Sequence, residues 1–133
     1  MSEPATRRLA LLLALALAGC APTTLAEIRA KPIDRSGMFF GDYKTVARCT
    51  LDQLDARTTS QAFGDPPFRN QLTERDDRVE IIGSVPESGV PIYEFRFHPF
   101  GPDHTAVELR HARRHGVQND TLWAAAQKCG SVR

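Results

Sequence analysis

Tyr93-Glu94-Phe95-Arg96-Phe97 and, after a short turn, Val107-Glu108-Leu109-Arg110-His111 set a large residue at every second position with a charged one between. A period of two sends successive side chains to opposite faces of an extended chain, so each stretch reads as a strand with one buried face. The strands extend over Val90–His98 and Thr105–Arg113, and Gly101-Pro102-Asp103 supplies the turn residues that join antiparallel neighbours. Charge then selects the register. Pairing Glu94 with Arg110 and Arg96 with Glu108 makes both outward pairs opposite in sign, with Phe95 facing Leu109 and Phe97 facing Val107. A slip of two residues would set Glu94 against Glu108, which like-charge repulsion disfavours by roughly 0.2–1 kcal/mol.

The same period continues upstream. Arg78–Val85 alternates through Val79, Ile81, Gly83 and Val85, and Pro86-Glu87-Ser88-Gly89 turns it into the next strand. A short strand is expected around Asn70–Glu74, after a loop over 59–70 in which Asp65-Pro66-Pro67 excludes regular pairing. The flanks change period. From Asp42, an N-cap, to about Arg57, the residues Tyr43, Val46, Ala47, Thr50, Leu51 and Leu54 fall on one helical stripe. Asn119-Asp120 opens a second helix that Gly130 closes, with Leu122, Ala125, Ala126 and Cys129 on one face. The expected fold is α+β, a two-layer sandwich. A three- or four-stranded antiparallel sheet is covered on one face by an N-terminal and a C-terminal helix joined by a disulfide.

The first twenty residues carry a different message. Arg7-Arg8, an apolar run from Leu9 to Ala18 and small residues before Cys20 form an export signal, since the run is too short to span a bilayer. Its end, Leu17-Ala18-Gly19-Cys20, resembles the lipobox of bacterial lipoproteins. That resemblance, confined to residues 1–20, implies cleavage before Cys20 and acylation of Cys20 by diacylglycerol and then fatty acid (palmitate-type) chains. The resemblance also implies residence at the outer membrane, because Ala21 stands where Asp often marks inner-membrane retention. The partition that follows is signal peptide 1–19, lipidated N-terminus and flexible tether 20–41, and one α+β domain 42–133. As flexible coil, a tether of about 20 residues spans about 25 Å.

Removing the signal leaves 114 residues with 15 basic and 15 acidic side chains, enough for one domain and too neutral for a nucleic-acid surface. The remaining cysteines, Cys49 and Cys129, lie in an oxidising compartment without Cys-x-x-Cys spacing. They read as a structural disulfide, with a reactive or metal-binding thiol pair as the alternative. The bridge would close a loop of about 80 residues, worth about 4.5 kcal/mol on the chain-entropy model.

Candidate functional residues lie mostly on the outer sheet face. Ile82 and Ile92 are expected there beside Arg96 and Arg110, as a docking surface for a partner or as scattered exposed residues. Met38-Phe39-Phe40 is expected to pack on the domain, with a contact to lipid or a partner as the alternative, and one reading folds it over that face. The unpaired sheet edge offers a further place for a partner strand. His98, Asp103 and His104 at the hairpin tip are the candidate metal ligands, without the spacing of a closed motif. Glu74, Asp76 and Asp77 lack the ligand pattern of a calcium loop, and Arg110–His115 is the one basic concentration, a candidate contact for anionic groups. No Gly-x-Ser-x-Gly, Gly-rich phosphate loop or His-Glu-x-x-His occurs. The resulting expectation is a non-enzymatic envelope lipoprotein without cofactor. It would be held to the membrane by lipid and would bind or support another envelope component. The alternative is a small-ligand or metal-binding periplasmic domain using the hairpin histidines.

Overall fold

A computed structural model of the chain describes residues 23–58, 68–112 and 119–130. In chain order the elements are α1 (Leu25–Ala30), β1 (Arg35–Phe40), α2 (Tyr43–Thr58), β2 (Arg69–Glu74), β3 (Val79–Ser84), β4 (Pro91–Pro99), β5 (His104–His111) and α3 (Asn119–Gln127). The strands form one antiparallel sheet in the order β1-β5-β4-β3-β2. The fold is therefore α+β, with five strands rather than three or four. Pairing of β4 with β5 sets Glu94 opposite Arg110, Phe95 opposite Leu109 and Arg96 opposite Glu108, the register that charge selects.

The additional strand comes from the segment read as a tether. Residues 24–40 are not a spacer: among the described residues, regular structure already starts behind the Thr24 cap, well before Asp42. The physical reason lies in Met38-Phe39-Phe40. Phe39 is buried and meets Trp123 of α3 edge to face, with ring centroids 5.5 Å apart. Its backbone meanwhile continues the sheet, running from Arg35 opposite Leu109 to Phe40 opposite His104. Phe40 itself stays exposed, so the aromatic pair divides between the two faces of the strand.

Helix α2 begins where the Asp42 carboxylate accepts the Thr45 N–H at 3.1 Å, the expected cap. Val46, Ala47 and Leu54 of α2 join Leu122, Ala125 and Ala126 of α3 in one core with Ile81, Tyr93, Phe95, Phe97, Val107 and Leu109. Cys49 and Cys129 are bonded, with Cα atoms 5.7 Å apart, and tie the two helices together. Two glycines are required by geometry. A Cβ on Gly83 would lie 2.1 Å from the Tyr93 ring across the strand pair, and at Gly83/Ser84 the register shifts. Gly130 closes the end of α3 at φ +125°, and its carbonyl accepts the Phe40 N–H at 2.7 Å.

Candidate functional site

The face of the sheet opposite Phe95 and Phe97 carries Glu80, Glu94, Arg96, Glu108 and Arg110, and α1 packs there against β4 and β5. Helix α1 starts with a capping box. The Thr24 hydroxyl accepts the Glu27 N–H at 3.2 Å, and the Glu27 carboxylate accepts the Thr24 N–H at 2.9 Å. The helix places Ile28, fully buried, and Arg29 towards the sheet.

Arg29 donates from Nε to Glu94 Oε2 at 2.8 Å and from Nη2 to Glu80 Oε2 at 3.0 Å. Both carboxylates are almost completely buried. Arg78 completes the shell of Glu80, donating from Nε to Oε1 at 2.7 Å, with Arg75 at 3.8 Å. Arg96 does the same for Glu94 at 2.8 Å. Burial works to raise the Glu80 pKa, but the Arg78 hydrogen bond and the charges of Arg29, Arg78 and Arg75 outweigh it and hold the carboxyl below its ordinary range. The hydrogen bond to Glu94, opposed by burial, leaves the Arg29 guanidinium above its ordinary value. With its pKa lowered, Glu80 stays ionised near neutral pH and is a poor proton donor there. What the array can do is clamp α1 to the sheet.

The neighbouring segment locks in the same way. Lys31 Nζ donates to the Ala112 carbonyl at 3.1 Å, Arg110 Nε to the Lys31 carbonyl at 3.2 Å, and the His111 N–H to Asp34 Oδ2 at 2.8 Å. Lys31, Pro32, Ile33, Asp34 and His111 line an open cleft of about 360 Å³ there.

The predicted docking residues therefore need correction. Ile92 is fully buried and Ile82 half-buried. Arg96 and Arg110 are engaged with Glu94, Glu108 and the Lys31 carbonyl. What covers this face is α1; Met38-Phe39-Phe40 belongs to the edge strand β1. The hairpin histidines take different partners. His98 Nε2 lies 3.8 Å from Glu108 Oε2, while the His104 ring packs on Phe40 with centroids 5.0 Å apart. Asp103 contributes its main-chain carbonyl to the Gly41 N–H at 2.7 Å. Among the described residues no group of three or more His, Cys, Asp or Glu is placed to hold a metal ion. Of the acidic turn residues, Glu74 is engaged by Arg48 and Lys44, and Asp77 by Arg78. Cys20 and Arg113–His115 lie outside the described residues.

Arg29, Glu80 and Glu94 escaped the sequence reading as a unit, yet one signal was present. Thr24-Leu25-Ala26-Glu27 has the capping-box spacing that announces a helix start. Among the described residues, the large apolar side chains that remain in solvent are Ile33, Phe40 and Phe100, at 41%, 55% and 62% exposure, and Phe40 and Phe100 adjoin His104 in the fold. No protein-family model matches the chain, and no curated protein is detectably similar to it.

Proposed function

We propose that the chain is a lipid-anchored envelope domain, acylated at Cys20, that binds or supports another envelope component and does no catalysis of its own. The observation that carries this reading is the division of the outer face. Its buried carboxylates are committed to guanidinium partners, while the aromatic side chains of Phe40 and Phe100 stay in water beside His104. Exposed aromatic side chains are the groups that interfaces bury for most gain. Two helices on the inner sheet face and α1 on the outer give a rigid platform for such a patch. Ala21 after Cys20 supports the outer membrane as the site of residence.

Site-specific photocrosslinking in the intact cell tests the binding role. A crosslinking residue at Phe40 or Phe100 should give a discrete adduct that the same residue at Asp77 does not. The absence of adducts at Phe40 and Phe100 would remove the patch as the binding surface. Incorporation of a palmitate analogue, abolished by Cys20→Ser, tests the anchor. An Ala21→Asp variant should move the protein towards the inner membrane.

A further inference from the structure

We infer that the folded domain rides on the lipid headgroups with its α1 side facing the bilayer, with no spacer between anchor and fold. The inference rests on the lipid-anchor reading above and adds what that reading does not contain, a lipid surface as a second contact of the domain.

The argument is one of length. Helix α1 begins at Leu25 behind its Thr24 cap, so only Ala21, Pro22, Thr23 and Thr24 separate it from Cys20. Four residues reach at most about 14 Å when fully extended. The headgroup layer on each side of a bilayer is itself roughly 5–8 Å deep. A cysteine whose acyl chains lie in the hydrocarbon therefore leaves α1 within the headgroups or just above them.

Nothing downstream restores slack. Ile28 is buried, Arg29 is fixed to Glu80 and Glu94, Lys31 to Ala112, and Asp34 to His111. A rigid domain must then follow its first helix to the surface. The outward positions nearby suit such a place. Ala26, Ala30, Pro32 and Ile33 are exposed, apolar and small enough to approach closely, and the Glu27 carboxylate is turned back onto the Thr24 N–H. The 25 Å spacer that the sequence suggests would have let the domain tumble; the docked helix removes that freedom.

The test uses the full lipidated chain in phosphatidylethanolamine–phosphatidylglycerol vesicles containing a lipid with a nitroxide on its headgroup, which quenches only at close range. A fluorophore is attached at Ile33→Cys, with and without ten Gly/Ser residues inserted between Thr23 and Thr24. The insertion adds about 17 Å of root-mean-square reach and leaves the cap intact. Quenching should be strong with the native linker and at least threefold weaker with the insertion. A chain that floats with the vesicles but shows weak quenching with the native linker overturns this inference alone. Equal quenching in both proteins also overturns it, since linker length would then not set the distance. A chain that fails to float refutes the lipid anchor, and the inference falls with it.

Discussion

Glu80 is a buried carboxylate held among Arg29, Arg75 and Arg78. A carboxylate buried at 1% exposure costs several kcal/mol unless paired, and here three guanidinium groups surround it. Its pKa is held below the ordinary 4.5, so the folded state binds its proton less readily than the unfolded chain does. Such a group stabilises the fold above its unfolded pKa, and the contribution is lost as pH falls through the lower, folded value. Urea midpoints should therefore fall steeply once the pH drops below about 4.5, the unshifted value. Glu80→Gln should flatten that slope and cost about 1.5–3 kcal/mol at pH 7, the range for a hydrogen bond to a charged group. Glu74, lowered chiefly by its hydrogen bond to Arg48 and then by Lys44, acts in the same direction and remains in the variant. Subtracting the two pH profiles isolates Glu80. Identical slopes would show that another carboxylate controls the acid transition.

At the scale of elements, α1 is a six-residue helix that propensity alone would not maintain. Its stability comes from the capping box and from the sheet beneath it. Thr24→Ala should cost about 1 kcal/mol. The loss should be local: hydrogen exchange should speed up at the Ile28 and Lys31 amides, both bonded within α1, with the Phe95 and Leu109 amides unchanged. Exchange that accelerated equally throughout would mean that α1 and the sheet open as one unit. The same element marks the limit of what the sequence reveals. The period of two in Arg78–His111 and the stripes of α2 and α3 are long enough to average over exceptions, and the β4–β5 register was decided by four charges. Segment 24–40 offers no such run. Helix α1 exposes only one buried residue to the pattern, and β1 owes its place to pairing with β5, a distant partner. Local patterns describe faces; they do not say which other segment covers them. Ile92 was therefore legible as an outer-face residue and illegible as a buried one.

The whole molecule is closed by contacts between segments far apart in the chain. Strand β1, from the beginning, pairs with β5, near the end, and α2 is bonded to α3 through Cys49–Cys129 across 80 residues. Cross-linking a loop of that size removes about 4.5 kcal/mol of chain entropy from the unfolded state, before any native strain is subtracted. A domain of this length has about 5–15 kcal/mol in total. The bridge is thus a major stabiliser without being the source of the core. Leu54, Phe95, Phe97, Leu109 and Leu122 are fully buried in a core whose packing does not run through the sulfur atoms, and Cys129 is only partly buried beside them. The Cys49→Ser, Cys129→Ser double variant should accordingly fold to the same sheet but unfold about 3–4.5 kcal/mol more easily in urea. Because the effect lies in the unfolded chain, the near-ultraviolet signal of Trp123, which packs against Phe39, should be unchanged in the native variant. An unchanged urea midpoint would place the stability in the core and the β1–β5 closure alone. Loss of the Trp123 signal in native buffer would show instead that the bridge positions α3.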